Sequence, residues 1–213
     1  LLRELTPNAI SVGAAPLGVT LGTTQAHRLA DFAALLLRWN AVHNLTAIRA
    51  GEDFLTHHLL DSLALAPFVL RAGGSGARVL DVGSGGGLPG IVLAIALPGA
   101  SFTLVDAVRK KCAFLTQARL DLGLENVEVV HGRVERLQAA PFDVVVSRAL
   151  TTLTQFVAWT RHLLMPQGRW LAMKGRRPDE ELARLPPDIM AAVTALQVPG
   201  LDEQRHVIEM RKT

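Results

Sequence analysis

The chain has 213 residues, 49% of them apolar and 19% charged, which excludes a disordered chain and suits one large α/β domain, with or without a small appendage. Basic residues exceed acidic ones by only three, and 18 of the 22 are Arg, so the charge permits an RNA partner without demanding one. A single cysteine, Cys112, excludes an intrachain disulfide; with no apolar run of membrane-spanning length and no signal-peptide pattern, a cytoplasmic protein with no membrane partner is expected.

The first periodic segment is 25–42, where Leu29, Phe32, Ala33, Leu36, Leu37 and Trp39 recur at helical spacing, with Thr23 or Thr24 as its cap. Residues 40–46 read as a turn. Residues 53–65 read as a second helix, which Pro67 ends or prolongs by one turn. His57, His58 and Asp61 lie on it, and His58 and Asp61 share a face as a structural pair with a possible role towards a substrate. They are too few for a metal site, and none is expected. The glycines of 71–76 read as a flexible connector. It divides an N-terminal helical subdomain, 1–76, from a main domain, 77–213.

From there strands and helices alternate: strand 78–82, helix 88–97, strand 101–105, helix 108–122, strand 127–130, strand 142–147, helix 151–164, strand 169–173 and a short helix over 178–185. Two final strands, 193–198 and 206–210, flank Pro199-Gly200. The alternation predicts a doubly wound, mostly parallel sheet with helices on both faces. The closing hairpin suits the seven-stranded sheet of class I S-adenosylmethionine-dependent methyltransferases, a Rossmann-like fold.

The chemistry concentrates in Val79-Leu-Asp-Val-Gly-Ser-Gly-Gly-Gly-Leu-Pro-Gly90. Gly85, Gly87 and Gly90 fit a dinucleotide loop. Asp81 followed by Gly83, Gly85 and Gly87 fits a loop for S-adenosylmethionine. Glycine suits both, since backbone without Cβ can approach a ligand closely. A pyrophosphate prefers free N–H groups at a helix start. Asp81 would repel it, yet could serve the ammonium of a methionine moiety. Asp106, after the second strand, suits ribose hydroxyls under either reading, or caps the next helix. Val134 and Glu135 lie where an adenine ring would pack.

Ser147 and Arg148 end the fourth strand, beside the expected reacting centre, with no acid or base at that position. This fits a nucleophile that already carries a lone pair, such as a ring nitrogen, for which positioning suffices. Arg148 suits a carboxylate, a phosphate or a purine carbonyl. The chain has no Tyr, so a Tyr-Lys hydride-transfer pair is excluded, and an NAD-dependent oxidoreductase or nucleotide-binding regulator loses ground. Arg109-Lys110-Lys111, which opens a helix, and Lys174-Gly-Arg-Arg177, after the fifth strand, are candidates for gripping an anionic substrate.

Several stretches in this order resemble the RsmG (GidB) family of bacterial small-subunit ribosomal RNA methyltransferases. They are Trp39 to Thr46, His58 to Ser62, Asp81 to Gly90, Asp106 with Arg109-Lys110, Arg133 to Glu135, Ser147 to Ala149, Met173 to Gly175, and Arg205-His206. The resemblance implies S-adenosylmethionine as cofactor and methylation of a guanine N7 in 16S ribosomal RNA, free or within a small-subunit precursor, by a monomer. It places cofactor contacts on Gly83, Leu88, Val134, Glu135 and Arg148. With the loop residues Asp81, Ser84, Gly85 and Gly87 and with Asp106, these form the expected cofactor set; Arg109, Lys110, Lys174 and Arg205 form the substrate set. Gly86 departs from the Pro or Ala common in relatives, which loosens the loop. A small-molecule methyltransferase is the remaining alternative.

Overall fold

The computed structural model describes residues 5–43, 45, 54–148 and 150–213. Helix α1 (Pro7–Ala14) opens it, with the Thr6 side chain accepting from the Ala9 N–H and a proline in the first turn. The sequence pattern does not predict this helix: its Gly and β-branched residues are weak helix formers, although Thr6-Pro7 is a start signal. Helix α2 (Thr23–His43) runs through Asn40, where a turn is expected from the sequence. Asn40 is buried within the helix, so packing outweighs its local preference. Thr23 and Thr24 lie inside α2 and do not cap it. Gln25 takes that role: its Oε1 accepts from the Gly22 N–H, and its Nε2 donates to the Ile95 and Ala96 carbonyls at the end of a later helix. Residues 44 and 46–53 fall outside the described set, and with them most of the Asn44-Leu-Thr46 turn.

A π-helical turn (Leu55–Leu60) leads into α3 (Asp61–Leu63), and a separate helix α4 (Ala66–Gly73) follows. Pro67 therefore starts a helix, where its missing N–H costs nothing, and half of the expected connector is helical.

The main sheet has seven strands in the order β3-β2-β1-β4-β5-β7-β6. These are β1 (Arg78–Val82), β2 (Ser101–Asp106), β3 (Val127–His131), β4 (Phe142–Arg148), β5 (Leu164–Lys174), β6 (Ile189–Leu196) and β7 (Arg205–Lys212). The first five pair in parallel, and β7 runs antiparallel between β5 and β6. Helices α5 (Gly90–Ala96), α6 (Arg109–Asp121), α7 (Leu153–Thr160) and the single-turn α8 (Asp179–Leu182) complete the chain. The class I methyltransferase architecture expected from the alternation is present. Strand β5 starts five residues earlier than the sequence pattern predicts, at Leu164, and β6 four earlier, at Ile189.

Alternation along each strand divides the core. Val79, Val144, Val146, Leu171 and Val207 face one side, packed with α5, α6 and the N-terminal helices. Leu80, Val145, Trp170 and Ile208 face the other, packed with α7. The first face merges Leu29, Phe32 and Leu36 of α2 with Ile91, Leu93 and Phe114, so the N-terminal helices share one apolar core with the sheet.

Asp81 interrupts the apolar run of β1 and is fully buried. Its Oδ2 accepts from the Gly90 N–H at 3.0 Å, bringing the start of α5 onto the strand. A Cβ on Gly90 would lie 2.3 Å from Leu104 and 2.5 Å from Asp81 Oδ2. Gly90 is thus a packing residue. Gly90→Ala is expected to destabilise the fold by about 1–3 kcal/mol through overpacking, measured by urea unfolding.

Candidate functional site

The site is built at the edge of the sheet where the parallel strands end. After β1 the chain turns through Gly83, Gly85 and Gly87 at φ of 71, 56 and 80°, backbone that favours glycine. The turn is stitched to its neighbours. Gly83 N–H donates to the Val105 carbonyl, Ser84 Oγ to the Asp81 carbonyl, and Gly85 N–H to Asp106 Oδ2. Asp106 Oδ1 accepts from the Val108 N–H, and Lys111 Nζ lies 4.0 Å from Oδ2. Asp106 therefore anchors the glycine loop and the entry to α6 while still reaching the cavity beside them.

That cavity encloses about 470 Å³ and brings together Gly83, Asp106, Val134, Glu135 and Arg148, drawn from separate stretches of sequence. Trp159 and Leu150, which the sequence does not single out, also line it. Trp159 comes from α7, where no local pattern sets it apart. The rest of the expected cofactor set stands behind the surface. Ser84 and Leu88 are buried, and Gly87 is held against Ile91 and Phe32. Gly85 and Asp81 act through hydrogen bonds within the loop and to α5. Gly86 departs little in space: an added Cβ would meet Leu36 at 3.2 Å, a contact that a small shift relieves.

A second cavity of about 350 Å³ is lined by His57, His58, Asp61, Arg148, Met173, Lys174, Gly175 and Arg205. Arg148 is the residue common to both linings. Its Nη1 donates to the His57 carbonyl at 2.9 Å and to Asp61 Oδ2 at 3.2 Å. Arg205 Nε donates to the other oxygen of Asp61, also at 3.2 Å. Asp61 thus uses one oxygen for each arginine. Burial pushes its carboxyl upward, and the two guanidiniums oppose that shift. The His58 imidazole is lowered to about 4, first by burial and then by Arg148, so it is neutral at physiological pH.

Lys174 lines the second cavity but is already partnered. Its Nζ is 3.0 Å from both oxygens of Glu181 and donates to the Thr151 carbonyl, tying β5 to the start of α7. Arg109 and Lys110 are exposed in the first turn of α6, outside both cavities; Lys110 has an interaction of its own. Among the described residues no cluster of His, Cys, Asp and Glu is arranged to hold a metal.

The family model for rRNA small subunit methyltransferase G matches residues 25–208. The chain belongs to this family. Ribosomal RNA small subunit methyltransferase G of Burkholderia pseudomallei strain 668 is 52% identical to it, over 98% of this chain and 92% of that protein. The protein of the same name from Stutzerimonas stutzeri strain A1501 is 49% identical, over 94% and 93%. Among solved structures, the O-methyltransferase TomG of Streptomyces achromogenes aligns at a TM-score of 0.59 with 19% identity and 96% of each chain covered. TrmN of Thermus thermophilus aligns at 0.56 with 21% identity, over 75% of this chain and 53% of that one. These two establish the fold. The chain is an S-adenosylmethionine-dependent rRNA methyltransferase.

The residues fit that cofactor. The amide at the start of α5, which a pyrophosphate would need, is already bonded to Asp81 Oδ2. Asp81 Oδ1 is buried without a hydrogen-bond partner among the described residues, a free acceptor close to the glycine loop. Burial pushes the Asp81 carboxyl up to about 7, only partly opposed by the nearby Ser84 hydroxyl and the Gly90 amide. A carboxyl raised on folding binds its proton more tightly in the folded chain. Its contribution to stability is therefore present below the ordinary carboxylate value and fades as pH rises through about 7. Urea unfolding of the ligand-free protein is expected to show Asp81→Asn gaining on the wild type more at pH 8 than at pH 5.

Proposed function

We propose that this protein methylates N7 of a guanine in 16S ribosomal RNA, acting as a monomer in the cytoplasm, with no general base. S-adenosylmethionine supplies an electrophilic methyl group on its sulfonium. Asp106 and Glu135 provide acceptors for ribose and purine edges in the first cavity, and Val134, Leu150 and Trp159 provide apolar wall. Asp81 Oδ1 provides an unmatched acceptor for the ammonium end, directly or through water.

The observation that carries the N7 reading is the chemistry around Arg148, where the two cavities meet. A ring nitrogen attacks with a lone pair it already has, whereas an exocyclic amine or a hydroxyl must shed a proton. The described residues of the second cavity include no group set up to take one. Asp61 is committed to two guanidiniums, the neutral His58 is too weakly basic at about 4, and His57 has its Nε2 turned to Glu203 at 3.0 Å. Arg148 is a permanent cation with donors left over after Asp61 and His57 are served. It suits the O6 carbonyl of a guanine, provided it leaves N7 open. Asp61 and the His57 carbonyl fix its orientation, so the site supplies placement.

Methyl-labelled transfer to small-subunit rRNA, then nuclease digestion and nucleoside mass analysis, is expected to show 7-methylguanosine. Label in an exocyclic-amine or ribose product overturns the N7 reading, and label only in a small molecule favours the alternative substrate class. Asp106→Ala is expected to weaken S-adenosylmethionine binding by about 1–3 kcal/mol, since it removes an acceptor and loosens the glycine loop. Unchanged affinity by calorimetry would make Asp106 a loop anchor only.

A further inference from the structure

The cations around the site divide sharply by what they already bind. Arg148 and Arg205 are held by Asp61, Lys174 by Glu181 and Arg177 by Asp179. Arg109, Arg133 and Arg176 are exposed and have neither an ion pair nor a side-chain hydrogen bond among the described residues. Their places follow from the strand order. Arg133 follows β3, Arg109 follows β2, and Arg176 follows β5, while Arg205 opens the antiparallel β7 at the same edge. From Arg133 after β3 to Arg176 after β5 is four strand spacings, roughly 19 Å at about 4.8 Å each. The cofactor cavity spans the ends of β4, β1, β2 and β3 with Arg133 on its wall, and Arg148 lies between the two ends of this row.

Several acids along this edge are turned away from solvent or already matched. Asp106 accepts loop amides, Glu181 and Asp179 face Lys174 and Arg177, and Glu203 meets His57. Glu135, at the cavity mouth, is the exposed carboxylate nearest Arg133 in sequence and is assigned above to the cofactor. A row of unmatched guanidiniums with a concave site in its middle fits an extended polyanion.

We infer that an RNA strand crosses the active edge of the sheet and is gripped through its phosphates on both flanks. Arg109 and Arg133 hold one side and Arg176 the other, with the target base reaching the Arg148 cavity between them. This rests on the RNA substrate proposed above and adds the path of the strand: phosphate contacts position it, and the base contact at Arg148 specifies it. Arg133 thereby joins Arg109 and Arg176 in the substrate set.

The test is the salt dependence of binding to 16S ribosomal RNA for the wild type, Arg109→Ala, Arg176→Ala, the double variant and Arg211→Ala. Arg211 is an exposed cation at the opposite end of β7 and serves as control. Removing one phosphate-binding cation from a single-strand complex lowers the slope of log affinity against log salt by about 0.7. The slope is expected to fall by about that much in each single variant and by about twice as much in the double variant. S-adenosylmethionine affinity stays unchanged, and Arg211→Ala behaves like the wild type. Wild-type slopes in the double variant, or an equal fall in Arg211→Ala, overturn the track and leave the RNA reading standing. A wild-type protein without affinity for RNA overturns both.

Discussion

One buried carboxylate joins the three parts of this molecule that meet at the site. Asp61, at the start of α3, gives one oxygen to Arg148 at the end of β4 and the other to Arg205 at the start of β7. Its side chain is 4% exposed and each arginine's is 20% exposed, so the three are held in a setting where charges interact strongly. Removing one partner of such a buried cluster costs more than the cluster contributes, because unmatched charge is left behind. The N-terminal helices therefore do more than cover one face of the sheet. They carry the carboxyl that sets the direction of Arg148, and through it the boundary between the two cavities.

Asp81 has a related role one layer deeper. It draws the start of α5 onto β1 and blocks the helix amide that a phosphate would seek. The same residue keeps one oxygen unmatched beside the glycine loop. Gly90 is what permits this contact, since any side chain there would strike Leu104 and Asp81. Fold and cofactor choice are thus coupled through a single strand residue: the acid that makes the loop unsuited to a dinucleotide also sets the packing of the helix behind it.

Much of this is legible in the residues. Alternation of strand and helix patterns points to the sheet, and Gly83, Asp106, Val134, Glu135 and Arg148 can be placed around one cavity because each lies at or just beyond a strand end. Long-range pairing is not legible. Asp61 and Arg205 are 144 residues apart, and nothing near either one indicates the other. Lys174 looks available in sequence because Glu181 lies on a short helix whose direction only the fold determines. Near the N-terminus, local signals mislead because packing overrides them. Asn40 is carried inside α2 and buried there, although its local preference is for a turn.

The most direct test of this account is the single-turnover rate of methyl transfer to rRNA by Arg148→Met at saturating S-adenosylmethionine, with thermal unfolding as a check on folding. A positioning role predicts a fall of about two orders of magnitude in a folded protein that still binds the cofactor. Transfer at the wild-type rate would contradict it, and would remove Arg148 from the junction on which the two-cavity reading depends.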